Sequence, residues 1–238
     1  MSMLTARSVV LSVLLGAHPA WATTAELIRL TADFGINDNA LRVALTRMVA
    51  AGDLIRSADG YRLSDRLSAR HRRQDDALTP RVRVWDGDWI TLVITTVGID
   101  ARARASLRKT LQENRFGELR EGVWLRPDNL GVELAEEIAG RVRVLRSHDD
   151  DPGELAGKLW DLPGWAADGR RLLDEMAAAD GVPGRFVAAA GMVRHLLTDP
   201  LLPADLLPEG WPGDELRSAY DEFAAELTGR RDRMGVQA

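Results

Sequence analysis

Few residues in this chain have the types and spacing that covalent chemistry needs. Its 238 residues include no cysteine, which removes disulfides, thiolate metal sites and a thiol nucleophile. There is no Gly-rich phosphate loop, no His-Glu metal motif and no nucleophile elbow. His148-Asp149-Asp150-Asp151 gathers metal-ligand types, but adjacent side chains diverge and no second cluster follows, so the run reads as an exposed acidic linker. Asp100, after a predicted strand, is a lone carboxylate where a metal-dependent nuclease would gather several. The side chains that do form a set are hydrogen-bonding ones. Asn39, Val43, Thr46 and Arg47 share an outward helical face with Arg42 on its flank, and Arg56 and Arg62 follow on a predicted hairpin. Arg pairs with guanine in bidentate fashion, Asn with adenine, and Val or Thr methyls meet thymine. Such a helix reads base edges in the major groove, while the hairpin arginines suit phosphate or minor-groove contact.

That face needs elements to hold it. Thr23-Thr24-Ala25-Glu26 reads as a helix start, a hydroxyl cap followed by a carboxylate. Leu27, Ile28 and Leu30 carry an apolar stripe towards Phe34, and Gly35 breaks it. Asn37 or Asp38 caps the next helix, whose core face is Leu41, Ala44, Leu45, Met48 and Val49, ending at Gly52. Asp53 to Arg56 and Tyr61 to Leu63 are strand-like runs around Ser57 to Gly60, where the Asp-Gly pair predicts a hairpin with a positive φ at the glycine. Helices followed by a hairpin give a winged helix-turn-helix.

The first helix comes from a segment that imitates a signal peptide. Arg7, the apolar run Val9 to Ala17 and Ala20-Trp21-Ala22 have that form. Val9, Val10, Val13, Leu14 and Ala17 also recur at helical spacing, and the helix-turn-helix needs them as packing partners, so an amphipathic helix is expected. A basic helix from Ser64 to Asp76, with Arg66, Arg70, Arg72 and Arg73, leads out of the head. Phosphate tracking and a solvated linker both suit it.

Charge divides along the same line. The first 83 residues carry 12 arginines against 8 acids, a balance of +4, and the remainder carries −9, for −5 overall. A basic head on an acidic body fits a nucleic-acid reader with a separate regulatory part. No stretch approaches the ~20 apolar residues that span a bilayer. A cytoplasmic protein without membrane contact or cofactor is expected.

Past Trp85 the texture changes. Strand-like Trp89 to Thr96, helical Ala101 to Phe116, strands at Glu118 to Arg120 and Gly122 to Arg126, helical Leu130 to Ala139 and strand-like Val142 to Leu145 give a β-α-β-β-α-β order, a ferredoxin-like domain. From Gly153 the chain reads as helices: Leu155 to Asp161, Ala166 to Ala179, Pro183 to Leu197 and Asp214 to Arg230. Pro200, Pro203, Pro208 and Pro212 stiffen the connection before the last one. The expected fold is thus α+β and multidomain: a winged helix-turn-helix head with its connecting helix (1–76), a ferredoxin-like middle (84–148) and an all-helical C-terminal domain (153–238).

Several stretches resemble the PaaX family of bacterial transcriptional regulators, repressors of phenylacetate catabolism. They are Ala6 to Val9, the arginine-bearing helix Leu41 to Gly52, the run Arg115 to Asn129, and Thr198 to Pro203 with Trp211 to Gly213. The resemblance covers almost the whole chain. It implies a homodimer on a palindromic double-stranded operator, with release by an acyl-CoA such as phenylacetyl-CoA. An aromatic acyl-CoA wants aromatic walls and arginines for its phosphates; Trp124, Arg126, Trp160, Trp165, Arg194, His195 and Trp211 are the candidates, each of them also an ordinary core or surface residue. Against the repressor stand two other functions: a metal-dependent nuclease using the ferredoxin-like domain and Asp100, and an interaction module that has lost DNA binding. The arginine set disfavours the second, and the missing carboxylate partners disfavour the first.

Overall fold

The computed structural model describes residues 4–17, 19–96, 98, 100–131 and 136–235. Its contacts divide the chain into two compact units. One is formed from Met1–Leu78, Arg171–Arg194 and Glu215–Ala238, the other from Thr79–Arg170 and His195–Asp214. The helical segment after 153 is therefore shared between them.

In the first unit, helix α1 (Ala6–Leu15) starts at a capping box between Thr5 and Ser8. Val9, Val10 and Leu14 have no exposed surface, so the apolar run that imitates a leader is core. Strand β1 (Trp21–Thr23) comes next, in the residues with the small-x-small pattern. Thr23 then caps α2 (Thr24–Ala32) in a reciprocal box with Glu26: its hydroxyl accepts from the Glu26 N–H at 3.1 Å, and its own N–H donates to the carboxylate at 2.7 Å. Gly35, at φ 68°, makes the turn. Asn37 caps α3 (Asp38–Ala50), its side-chain oxygen accepting from the Ala40 N–H at 2.9 Å. Leu41, Leu45 and Met48 are buried together with Leu14, Leu27 and Leu54 in one cluster. Strands β2 (Leu54–Arg56) and β3 (Gly60–Leu63) form the hairpin, and β1 adds to β3 to give an antiparallel sheet of order β1-β3-β2. Helix α4 (Asp65–Leu78) follows.

The hairpin glycine corrects one expectation. Gly60 does not have a positive φ; it lies in β3 opposite Thr23. A Cβ there would sit 2.3 Å from the Ala22 carbonyl oxygen, so glycine is required because β1 presses against it.

The rest of this unit comes from the distant end of the chain, from parts of α8 (Leu162–Ala178), α9 (Gly181–Leu196) and α10 (Gly213–Gly235). Phe186 packs edge-on against Phe34 at 4.9 Å and joins Val9, Ala189 and Phe223 in a second cluster. Arg185 pairs with Glu226 at 2.8 Å, and Arg217 donates to the Ala77 carbonyl at 3.1 Å.

The second unit is built on β4 (Trp89–Ile94), α5 (Ala101–Glu113), β5 (Gly117–Arg120), β6 (Val123–Pro127), α6 (Glu136–Ala139) and β7 (Val142–Ser147). Its four-stranded sheet has the order β5-β6-β4-β7 and every pairing is antiparallel. Helix α5 packs Leu107 and Leu111 onto Leu92 and Trp124. It stops at Glu113 rather than running to Phe116, because Arg115 adopts a positive φ of 65° and turns the chain into β5. Leu130, expected in a helix, forms a bridge with Val82 instead; helix is described only at Glu136–Ala139, and 132–135 lie outside the described residues. Asp151 ends the acidic run as the cap of α7 (Pro152–Leu159), accepting from the Glu154 N–H at 2.9 Å. The proline-rich connection is pinned from both sides. Asn129 donates to the Leu201 carbonyl at 2.8 Å, and the buried Asp199 side chain accepts the Leu201 N–H at 3.0 Å.

Candidate nucleic-acid interface

Helix α3 has two unlike faces. Leu41, Leu45 and Met48 are buried, while Asn39, Arg42, Val43, Thr46 and Arg47 are all exposed. Val43 leaves 49% of its surface in solvent, much for a valine on a helix anchored so firmly. The Thr46 hydroxyl donates back to the Arg42 carbonyl at 2.9 Å, which fixes its rotamer. One rigid helix thus offers two guanidinium forks, an amide and branched methyl groups to solvent. On the hairpin, Arg56 closes β2 opposite Tyr61, and Arg62 lies mid-β3 between Trp21 and Ile55. Both are exposed, with Arg62 3.9 Å from the Asp65 carboxylate.

The residue that ties this region together was not among the candidates. Asp53 is 1% exposed, at the turn between α3 and β2. Its carboxylate accepts two bonds from Arg7 of α1, at 3.1 and 2.9 Å, and a further one from Arg66 of α4. Arg66 is therefore engaged in structure, while Arg70, Arg72 and Arg73 are further exposed arginines of α4. A carboxylate in the middle of apolar positions was the available signal; its partners, 46 and 13 residues away, gave none.

The ligand candidates scatter. Trp124 and Arg126 are each 1% exposed, on the same face of β6. The Arg126 guanidinium lies 4.8 Å from the Phe116 ring centre and donates to the Leu130 carbonyl at 3.4 Å. Burial pushes its pKa down to about 10, against the opposing pull of Asp128. Trp160 stacks on Trp89 at 6.5 Å. Trp165, His195 and Trp211 do come together: the Trp165 ring stacks on the other two at 4.1 and 4.3 Å, and the His195 Nε2 lies 3.0 Å from the Trp165 carbonyl. Arg194 is exposed and belongs to the other unit. Asp100 caps α5, accepting from the Ala103 N–H at 2.7 Å. Among the described residues no group of three or more His, Asp or Glu is placed to hold a metal ion, and no helix is long and apolar enough to cross a membrane.

The chain is α+β and presents an arginine-bearing helix to solvent. Three family models agree along its length: PaaX-like protein over residues 5–67, PaaX protein central Cas2-like domain over 82–151, and PaaX-like protein C-terminal domain over 170–234. The chain belongs to the PaaX family. It is also similar to a solved structure, uncharacterized protein Rv0674 from Mycobacterium tuberculosis, at 66% identity with a TM-score of 0.87, over 96% of this chain and 98% of that one. No curated protein matches it.

Proposed function

We propose that this PaaX-like regulator is a DNA-binding transcriptional repressor with a winged helix-turn-helix head, in which α3 is the recognition helix. The exposed set Asn39, Arg42, Val43, Thr46 and Arg47 opposite the buried Leu41, Leu45 and Met48 carries this reading. The order helix, strand, two helices and hairpin supports it, since the β2–β3 hairpin then serves as the wing, with Arg56 and Arg62 towards phosphates or the minor groove.

The roles divide over three parts: 1–76 reads DNA, 84–148 is a ferredoxin-like middle, and 153–238 is a helical C-terminal domain. Family membership supports a cytoplasmic homodimer on a palindromic operator, because two recognition helices about one DNA turn apart (~34 Å) match two half-sites. It also supports release by an aromatic acyl-CoA such as phenylacetyl-CoA. Trp165, His195 and Trp211 are the candidate aromatic contacts that stand together.

The test is a fluorescence-anisotropy titration of the chain's own promoter with Arg47→Ala. Loss of one bidentate base contact lowers operator affinity by about 1–3 kcal/mol and relaxes preference at one position of each half-site. Unchanged affinity and unchanged sequence preference would remove α3 from the groove.

A further inference from the structure

Asp53 holds two arginines where one would neutralise it. Arg7 gives its Nε and a terminal nitrogen to one carboxylate oxygen, at 3.1 and 2.9 Å, and Arg66 gives a terminal nitrogen to the other. The group therefore keeps one positive charge in excess. Its charges are also sorted by depth: the Asp53 side chain is 1% exposed, whereas those of Arg7 and Arg66 are 60% and 63% exposed. A guanidinium has more N–H donors than this pairing occupies, so both arginines face water with donors to spare while the carboxylate stays behind them.

Fold stability does not account for this placing. Arg7 and Arg66 each stand second in their helix, α1 and α4, at the end where the helix dipole disfavours a cation. The second guanidinium also repels the first. What the arrangement does provide is orientation. Two long side chains from different helices are held towards one point by a fixed carboxylate, so an incoming oxyanion does not have to order them.

Position names the oxyanion. Asp53 lies between the end of α3 at Ala50 and the start of β2 at Leu54, hence between the proposed recognition helix and the proposed wing. Arg70, exposed and one turn beyond Arg66 on α4, continues the line of cations. Beside a helix in the major groove, the oxyanions at hand are backbone phosphodiesters. We propose that Arg7 and Arg66, held by Asp53, clamp one phosphodiester of the duplex backbone that flanks α3. The inference rests on the DNA reading and adds to it a contact that fixes the register of α3 without reading sequence.

Fluorescence anisotropy of the full chain on its operator and on a random duplex, across a salt series, tests it. Arg7→Gln and Arg66→Gln each weaken both complexes about tenfold and reduce the slope of log affinity against log salt by about one unit per protomer. Operator preference is unchanged, and either variant suffices should the other fail to fold by circular dichroism. Arg66→Lys returns the charge and with it the slope of the parent. Arg171→Gln removes an arginine that is likewise exposed (57%) and paired with an acid, Glu175, and moves neither quantity. Inorganic phosphate, the other source of the same chemistry, displaces neither duplex when it replaces chloride at equal ionic strength. A slope unmoved in the Gln variants, or lowered as much by Arg171→Gln, would overturn the clamp. So would displacement by inorganic phosphate with the slope unmoved, the mark of a small-anion site. The two readings fail separately. A parent chain that binds no duplex sinks the DNA reading, whereas operator binding that is lost in Arg47→Ala and indifferent to Arg7 and Arg66 sinks only the clamp.

Discussion

Two glycines near the interface show how one residue type meets two different demands. Gly52, at φ 71°, has open space around its missing side chain, so Gly52→Ala costs only the left-handed backbone, about 1 kcal/mol. Gly60 has an ordinary φ but no room. Gly60→Ala must displace β1 and costs more, about 2–3 kcal/mol. Urea denaturation of both variants checks the order, and a smaller loss at Gly60 would mean that β1 yields freely. Asp53 is the other sensitive residue. Asp53→Ala strands two arginines that are 60% and 63% exposed. Water softens the loss, which is about 2 kcal/mol rather than the larger penalty of a fully buried pair. If the urea midpoint of Asp53→Ala matched that of the parent, the carboxylate would have no part in joining α1, α3 and α4.

At the scale of elements, legibility in the sequence follows the range of the interactions. Helices α2 and α3 are readable because their signals are local: the Thr23–Glu26 box, the Asn37 cap, and Leu41, Leu45 and Met48 at helical spacing. Strand β1 is not, since three residues carry no period. It exists because Gly60, Tyr61 and Arg62 lie alongside it, some forty residues later. The same limit hid the Arg7–Asp53–Arg66 pairing and the bridge between Val82 and Leu130. The order of β4, α5, β5, β6 and β7 was legible from β-branched runs and amphipathic stripes, although the end of α5 was set by a left-handed Arg115 and Leu130 pairs with Val82. The arginine face of α3 was legible in full, because exposure on a helix follows from the buried face opposite. The scattering of the ligand candidates was not, since tryptophan serves core and binding site alike. One element-scale expectation follows: Asn37→Ala, which removes the α3 cap, lowers stability by about 1 kcal/mol. Circular dichroism melting checks it, and an unshifted midpoint would mean that water replaces the cap at no cost.

For the whole molecule, charge predicts how binding answers to salt. The head is basic although the chain carries −5, so in the proposed operator complex phosphate contacts work against an acidic remainder. Operator affinity should fall steeply and log-linearly with salt, and Arg56→Ser with Arg62→Ser should lower that slope by about one unit per lost contact in each protomer's half-site. A slope unmoved by both substitutions would take the hairpin off the backbone. The make-up of the first unit has a consequence for how such a molecule is made. Its opening 78 residues are joined by Arg171–Arg194 and Glu215–Ala238, and Phe34 and Val9 are covered by Phe186 and Phe223. During synthesis, the part that leaves the ribosome first must wait, with an apolar flank uncovered, for the part that leaves last. A message cut short before residue 186 leaves that apolar flank without its cover, the kind of exposed surface that draws unfinished chains into aggregates.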